Sequence, residues 1–413
     1  MIAEILSVGT ELLLGDTLNT NAQYLSKRLA DLGIFVYFQT VVGDNSERLK
    51  KAYDIAFKRA DIVITTGGLG PTKDDLTKEI GAEYFGKKLI LHEDLLEEIK
   101  GYFKKLNRDF AKSNEKQAYF PQGAVILPNE NGTAPGCIID EKGKMLIMLP
   151  GPPFEMIPMF ENYVVPYIKK YIDGAIVSKV IRTFGIGESH MAEKVSDLIE
   201  NMTNPTVAPY AKQNEAILRI TARAKDEFEA KKLIEPIAQE IKKRLGDYIY
   251  GEDEDTLENV VGKMLIDNNL TISTAESCTG GLVAAKLINY PGISKVFIEG
   301  AVTYSNEAKI SRLKVKKETL EKHGAVSSQV AAEMALGIAK ASNTRIGIST
   351  TGIAGPGGGS DEKPVGLVYI GLSIDGNVKT IKYNFSGDRQ KIRERAAMYA
   401  IDFLRRELKN IIK

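Results

Sequence analysis

Histidine is scarce in this chain: the 413 residues include three, His92, His190 and His323. None is close in sequence to the turn Ala275–Gly281, and a serine with a downstream lysine and tyrosine is a way to acyl chemistry without imidazole. Cysteine is scarcer still. Cys137 and Cys278 stand far apart, without CxxC or Cys/His metal spacing, which fits a reducing cytoplasm better than a disulfide framework. Neither sign of charge dominates, with 55 Lys and Arg against 54 Asp and Glu. No global field then favours nucleic acid or an anionic membrane. No apolar run approaches the roughly 20 residues of a membrane span. Met1–Val8 has Glu4 inside it and lacks the basic region of a signal peptide. These absences predict a soluble, cytoplasmic chain, 43% hydrophobic and 26% charged, long enough for two or three domains.

What is present is α/β periodicity. Residues 1–172 alternate β runs (2–8, 36–42, 62–66) with helical spacing (21–32, 46–59). This βαβαβ rhythm predicts a parallel sheet with helices on both faces. Residues 175–251 read as a small α+β unit, with helices expected over 189–202 and 227–245. The acidic run Glu252–Asp255 reads as a solvated linker or helix start. Residues 257–413 return to α/β alternation. They should hold strands near 271–274, 296–304 and 346–351, a hairpin across Asp375-Gly376, and a closing basic helix over 388–409.

Two glycine-rich loops carry candidate chemistry. The first, Gly67-Gly68-Leu69-Gly70-Pro71-Thr72-Lys73-Asp74-Asp75-Leu76-Thr77, directly follows a buried strand. Ligands of open α/β sheets bind outside the carboxyl ends of strands. Glycines let backbone approach phosphate, and a helix starting near Asp75 would aim N–H groups the same way. Adjacent aspartates repel bare phosphate but suit a bridging hard cation such as Mg²⁺. The turns at Gly9-Thr10-Glu11 and Gly151–Glu155 could converge there. A plain turn with an acidic helix cap is the alternative. The loop is neither a Walker P-loop nor a GxGxxG turn.

In the C-terminal segment, Ser277 sits where a strand gives way to a helix, with Tyr304 and Lys309 downstream. Parallel neighbouring strands would bring all three to one sheet edge. Ser277 could equally be an ordinary helix N-cap, and Cys278 a buried filler. Lysine acts as a base only if desolvation lowers its pKa, and amides at the helix start could hold an oxyanion. The second loop, Thr351–Ser360, holds five glycines and suits a phosphate or ribose cradle or a lid. Arg389 and Arg393 could pair with the same phosphate. His323 reads as structural.

The first loop resembles that of molybdopterin-binding proteins, where a glycine loop and Asp-x-Thr hold a phosphorylated pterin. The wider set, Gly9–Leu13, Asn19–Asn21, Val42–Asp44 and Leu149–Met156, resembles the N-terminal half of the CinA (competence/damage-inducible protein A) family. That resemblance implies a metal-dependent ADP-ribose pyrophosphatase. Substrate would lie at Asn21, Asp44, Gly67, Gly68, Gly70, Thr77 and Gly151, and a divalent ion at Glu11, Asp74, Asp75 and Glu155. The motifs AESCTGG, TGIAGPGGG, Lys363–Gly366 and GDR, with the Tyr304/Lys309 spacing, resemble the family's C-terminal nicotinamide mononucleotide deamidase domain. This implies Ser277 as nucleophile, Lys309 as general base and Tyr304 as its partner, with no cofactor. Thr279, Gly280, Gly281, Thr351, Gly352, Gly355, Gly357, Arg389 and Arg393 would surround the substrate. The middle unit resembles the family's KH-like domain, but no GxxG loop is in place. It reads as a spacer or dimerisation element, so the expectation is a bifunctional pyridine-nucleotide salvage enzyme, a homodimer without nucleic-acid or membrane partners. The rivals are a non-catalytic regulator of competence and an N-terminal domain that binds molybdopterin.

Overall fold

The computed structural model describes every residue except 106, 108, 142, 173, 213, 214 and 413. Internal packing divides the chain into two compact units, residues 1–178 with 222–233 and residues 179–221 with 234–413.

The first unit is built on β1 (Ile2–Val8), β2 (Phe35–Val42) and β3 (Ile62–Thr66). A small antiparallel pair follows, β4 (Leu89–Leu91) and β5 (Tyr119–Pro121). Strands β6 (Val125–Leu127), β7 (Gly136–Glu141) and β8 (Lys144–Leu149) complete a six-stranded sheet of order β2-β1-β3-β8-β7-β6. The expected parallel arrangement holds for β2, β1, β3 and β8. Strands β7 and β6 extend that sheet antiparallel, because β7 returns to β8 as a hairpin. Side chains alternate across the sheet. Ile5, Ile64 and Ile147 pack with the helices Thr20–Asp31 and Pro153–Met159. Leu6, Val63 and Met148 pack on the opposite face, with Leu49 and Ile80 of the helices Ser46–Ala56 and Thr77–Tyr84. Strands buried on both faces read as continuous apolar runs, which is why these were legible.

The middle segment supplies β9 (Ala175–Thr183), β10 (Thr206–Lys212), β11 (Glu215–Ala224) and β12 (Ile249–Glu252), in the order β10-β11-β9-β12. The helix expected over 189–202 is two, Glu188–Lys194 and Ser196–Asn201, broken where Val195 leaves helical geometry. The acidic run is not a loose linker: Glu252 ends β12, and its amide donates to the Asp255 carboxylate at 2.9 Å.

The C-terminal sheet joins β13 (Ile272–Glu276), β14 (Phe297–Val302), β15 (Ile346–Gly352), β16 (Leu367–Ile374) and β17 (Asn377–Asn384) in the order β14-β13-β15-β16-β17. Strand β13, second in that order, is parallel to both neighbours. Asp375 and Gly376, at φ 49° and 86°, make the expected turn between β16 and β17. The closing helix Arg389–Ile411 is capped by Asp388 and buries Ile392, Ala396, Ala400, Leu404 and Leu408. Its Arg405 is fully buried, paired with Asp402 at 2.7 Å, and donates to the carbonyls of Asp247 and Ile249.

Candidate active sites

Because β13 and β14 are parallel neighbours, the segments leaving their carboxyl ends meet. Ser277 leaves β13, and its amide donates to the Thr350 carbonyl at 3.0 Å. Thr303 and Tyr304 leave β14. The helix Asn306–Leu313, capped by Ser305, then carries Lys309 inward until it is 1% exposed. Lys309 Nζ lies 3.2 Å from Ser277 Oγ, 2.9 Å from the Thr303 carbonyl and 3.0 Å from the Tyr304 carbonyl. An ammonium there donates to all three. Burial lowers the Lys309 pKa from its ordinary value, against weaker pulls from Cys278 and Glu307. Once neutral, the amine keeps two N–H bonds for the carbonyls and turns its lone pair to Ser277, whose hydroxyl then donates. That is the state a general base needs. Cys278 is no rival nucleophile, since burial pushes its thiol up to about 12.

Three expectations need correction. Ser277 does not cap the following helix, which spans Leu282–Ile288. Glu276 does so: its carboxylate accepts from the amides of Gly281 (2.9 Å), Val283 (3.1 Å) and Ala284 (2.8 Å), and from Thr279 Oγ1 at 2.6 Å. Those amides are therefore closed to an oxyanion, and Gly280 donates to the Ser277 carbonyl at 3.2 Å. The amides of Cys278 and Thr279 are left without a carbonyl or carboxylate acceptor among the described residues. Tyr304 touches Lys309 through its carbonyl; the residue is 61% exposed and its hydroxyl accepts from Arg389 at 3.2 Å.

Arg389 also donates to the Gly355 carbonyl at 2.8 Å, and Arg393 to the carbonyls of Cys278 (3.2 Å) and Thr279 (2.9 Å). The two arginines thus draw the Ser277 turn, Tyr304 and the second glycine loop together. Gly280 and Gly281, at φ 61° and 95°, let that turn fold tightly. Thr351 is turned away, donating to the Ala325 carbonyl at 2.8 Å, and Gly352 packs against the Leu367 carbonyl. Gly357 faces open space. Lys363 donates to the backbone carbonyls of His323 and Val326.

In the first unit, the ends of β1, β3 and β8 meet as expected. Asn21 donates to Thr66 Oγ1 at 2.7 Å and to the Gly151 carbonyl at 2.6 Å, and the Gly67 amide donates to Leu149. Gly67, at φ 103°, lies so close to β1 that a Cβ would fall 2.1 Å from the Val8 carbonyl oxygen. Thr77 bonds the Gly67 carbonyl at 2.8 Å and opens the helix two residues later than expected. The proposed metal ligands are dispersed. Asp75 accepts from Thr72 and packs on Gly70, while Glu155 accepts from Asn129 at 2.6 Å. Burial raises the Glu155 pKa, which Asn129 opposes. Asp44 accepts from Thr10 at 2.8 Å, and Glu11 and Asp74 are exposed. Among the described residues no three His, Cys, Asp or Glu gather into a metal site. The four carboxylates do not fit a preformed ion.

Three family models match this chain: "Probable molybdopterin binding domain" over residues 4–170, "Damage-inducible protein CinA KH domain" over 178–251 and "CinA C-terminal domain" over 254–408. Relatives with the competence-damage inducible name come from Clostridium novyi (strain NT), 64% identical over 99% of both chains, and Clostridium perfringens (strain 13 / Type A), 64% identical over 100% of both. The chain belongs to the CinA family. A CinA-like protein of Kosmotoga olearia is 60% identical over 99% of both chains. Among solved structures, a competence/damage inducible protein of Agrobacterium tumefaciens is 40% identical, covering 38% of this chain and 97% of its own, with a TM-score of 0.36. A CinA superfamily protein of Escherichia coli is 34% identical, covering 39% of this chain and 96% of its own, also at 0.36.

For this CinA-family chain, sequence reasoning missed Glu276 and Arg405. Glutamate at the end of a buried strand, one residue before a small-residue turn, was the available signal for Glu276. Arg405 had none, lying in a basic helix among similar residues. Among the described residues, no helix is long and apolar enough to cross a membrane.

Proposed function

We propose that the C-terminal segment is a nicotinamide-nucleotide amidase, converting nicotinamide mononucleotide to nicotinic acid mononucleotide and ammonia. The observation that carries this reading is the 3.2 Å contact between Ser277 Oγ and a buried Lys309 whose charge is disfavoured. Ser277 Oγ attacks the carboxamide carbon and its proton passes to Lys309 Nζ. The tetrahedral oxyanion turns towards the Cys278 and Thr279 amides. Lys309 returns the proton to the departing nitrogen, ammonia leaves, and an ester to Ser277 remains. Water attacks that ester, Lys309 takes its proton, and collapse releases the acid and restores the serine hydroxyl. Arg389, which bonds the Tyr304 hydroxyl and the Gly355 carbonyl, would also meet the substrate phosphate.

The N-terminal segment is, in the same proposal, an ADP-ribose pyrophosphatase. Support comes from the backbone cradle of Gly67, Gly68 and Gly151 at three parallel strand ends, with Asn21 holding Gly151. The pyrophosphate would lie across that cradle and meet the amides of Gly68 and Gly151, since the Gly67 amide is taken by the Leu149 carbonyl. Incubating the protein separately with each nucleotide tests both halves. Ammonia from the first and AMP from the second are expected. No ammonia from the wild-type chain would remove the amidase and favour a regulatory protein of competence. A pterin that binds where ADP-ribose does not would reassign the N-terminal half.

A further inference from the structure

Buried polar atoms are nearly always hydrogen-bonded, and the exceptions mark strain or function. Among the described residues, the hydroxyls of Thr274, Thr303 and Ser373, in or beside the C-terminal sheet, are buried without a hydrogen-bond partner. Thr274 and Ser373 lie inside β13 and β16. Thr303 leaves the end of β14, 2% exposed, beside the Ser277–Lys309 pair.

Strand register sets the direction of its side chain. Glu276 stands opposite both Val302 and Thr350. The ladder runs one residue further, the Thr303 amide donating to the Glu276 carbonyl at 2.9 Å and the Ser277 amide to the Thr350 carbonyl at 3.0 Å. Thr303 and Ser277 therefore share a row, and side chains two residues apart share a face. Two residues earlier, Ala275 and Ala301 pack with Leu313, one turn beyond Lys309 on the same helix. The Thr303 hydroxyl thus lies on the face from which Lys309 reaches Ser277, while the Thr303 carbonyl holds Lys309 Nζ at 2.9 Å.

Forming the ester needs no water, because Ser277 gives its proton directly to Lys309. Breaking the ester does. That water loses one hydrogen to Lys309 Nζ as its oxygen attacks, and its other hydrogen needs an acceptor on the same buried face. We propose that Thr303 Oγ1 is that acceptor and so positions the hydrolytic water of the amidase. This role rests on the amidase reading. The second hydrogen stays on the attacking oxygen, collapse breaks the ester C–Oγ bond, and Lys309 returns its proton to Ser277.

The test compares ammonia time courses and intact mass for wild type, Thr303→Val and Thr303→Ser, with thermal midpoints to report folding. Valine keeps the shape and deletes an unpaired hydroxyl, so the midpoint should hold or rise. Ammonia from Thr303→Val should appear as a stoichiometric burst at the wild-type rate, then continue about tenfold or more slower. Both kcat and KM should fall together, leaving kcat/KM within about threefold of wild type, because only the step after the ester is slowed. The mass of the turning-over variant should rise by the nicotinic acid mononucleotide acyl group. Thr303→Ser should bring kcat back to within about threefold of wild type. Thr303→Ala takes the same readings if valine does not fold. An unchanged kcat with no ester, or a kcat/KM loss as large as the kcat loss, overturns the proposal. Wild type that releases no ammonia ends the amidase reading and this role with it; an active wild type with an indifferent Thr303→Val ends this role alone.

Discussion

Among the described residues Lys309 meets two carbonyl dipoles and one hydroxyl but no carboxylate within hydrogen-bond reach, so little compensates for burying its charge. A rate that needs the neutral amine rises with pH as the proton leaves. The kcat/KM for ammonia release should therefore climb and level off at a midpoint below the ordinary lysine value of about 10.4. Stability moves the same way. The unfolded chain holds this proton more tightly, so the C-terminal segment gains stability as pH rises from the lowered pKa to the ordinary one. Denaturant titration of Lys309→Met against wild type should show that slope lost. Tyr304→Phe should keep kcat within about threefold, because the carbonyl and not the hydroxyl meets Lys309; a loss near that of Ser277→Ala would restore the hydroxyl to the mechanism. The pairing of Ser277 with Lys309 was legible because parallel strands carry their loops to one edge. The part played by Tyr304 was not, since a backbone carbonyl leaves no mark in residue identity.

At the scale of the element, Glu276 fixes the turn that presents Ser277, the proposed nucleophile. Glu276→Gln sets an NH₂ against amides that need an acceptor, and should cost about 1–3 kcal/mol of stability. Kinetically, kcat should fall with KM little changed, because the turn misplaces Ser277; steady-state assays at matched folded fractions check this. In the first unit, Gly67→Ala puts a Cβ against the Val8 carbonyl at a φ that L residues avoid. Backbone strain alone should cost about 1–3 kcal/mol, read from a denaturant midpoint. AMP release should fall while ammonia release persists. Strands β1 and β3 were readable as buried apolar runs. Short β4 to β6 were not, since three-residue strands carry too little pattern.

For the molecule as a whole, the proposed function puts two chemistries with different needs on one chain. Among the described residues no three carboxylates of the first unit gather, so phosphate oxygens would have to complete the shell of a hard ion. Calorimetry should find no tight Mg²⁺ binding to the free protein and clear binding once ADP-ribose is present. A chelator should stop AMP release and spare ammonia release; equal loss of both would contradict a metal-free amidase. Domain order and family were legible because long motifs fall at strand ends. The buried Arg405 contacts were hidden, because they depend on tertiary approach between residues some 150 positions apart.

Ammonia release from nicotinamide mononucleotide, measured side by side for wild type, Ser277→Ala and Lys309→Met, bears most directly on the buried serine–lysine pair. Both variants should retain the fold by circular dichroism and lose about a thousandfold or more in rate. Either variant, folded and within about tenfold of wild type, would contradict serine attack assisted by this lysine.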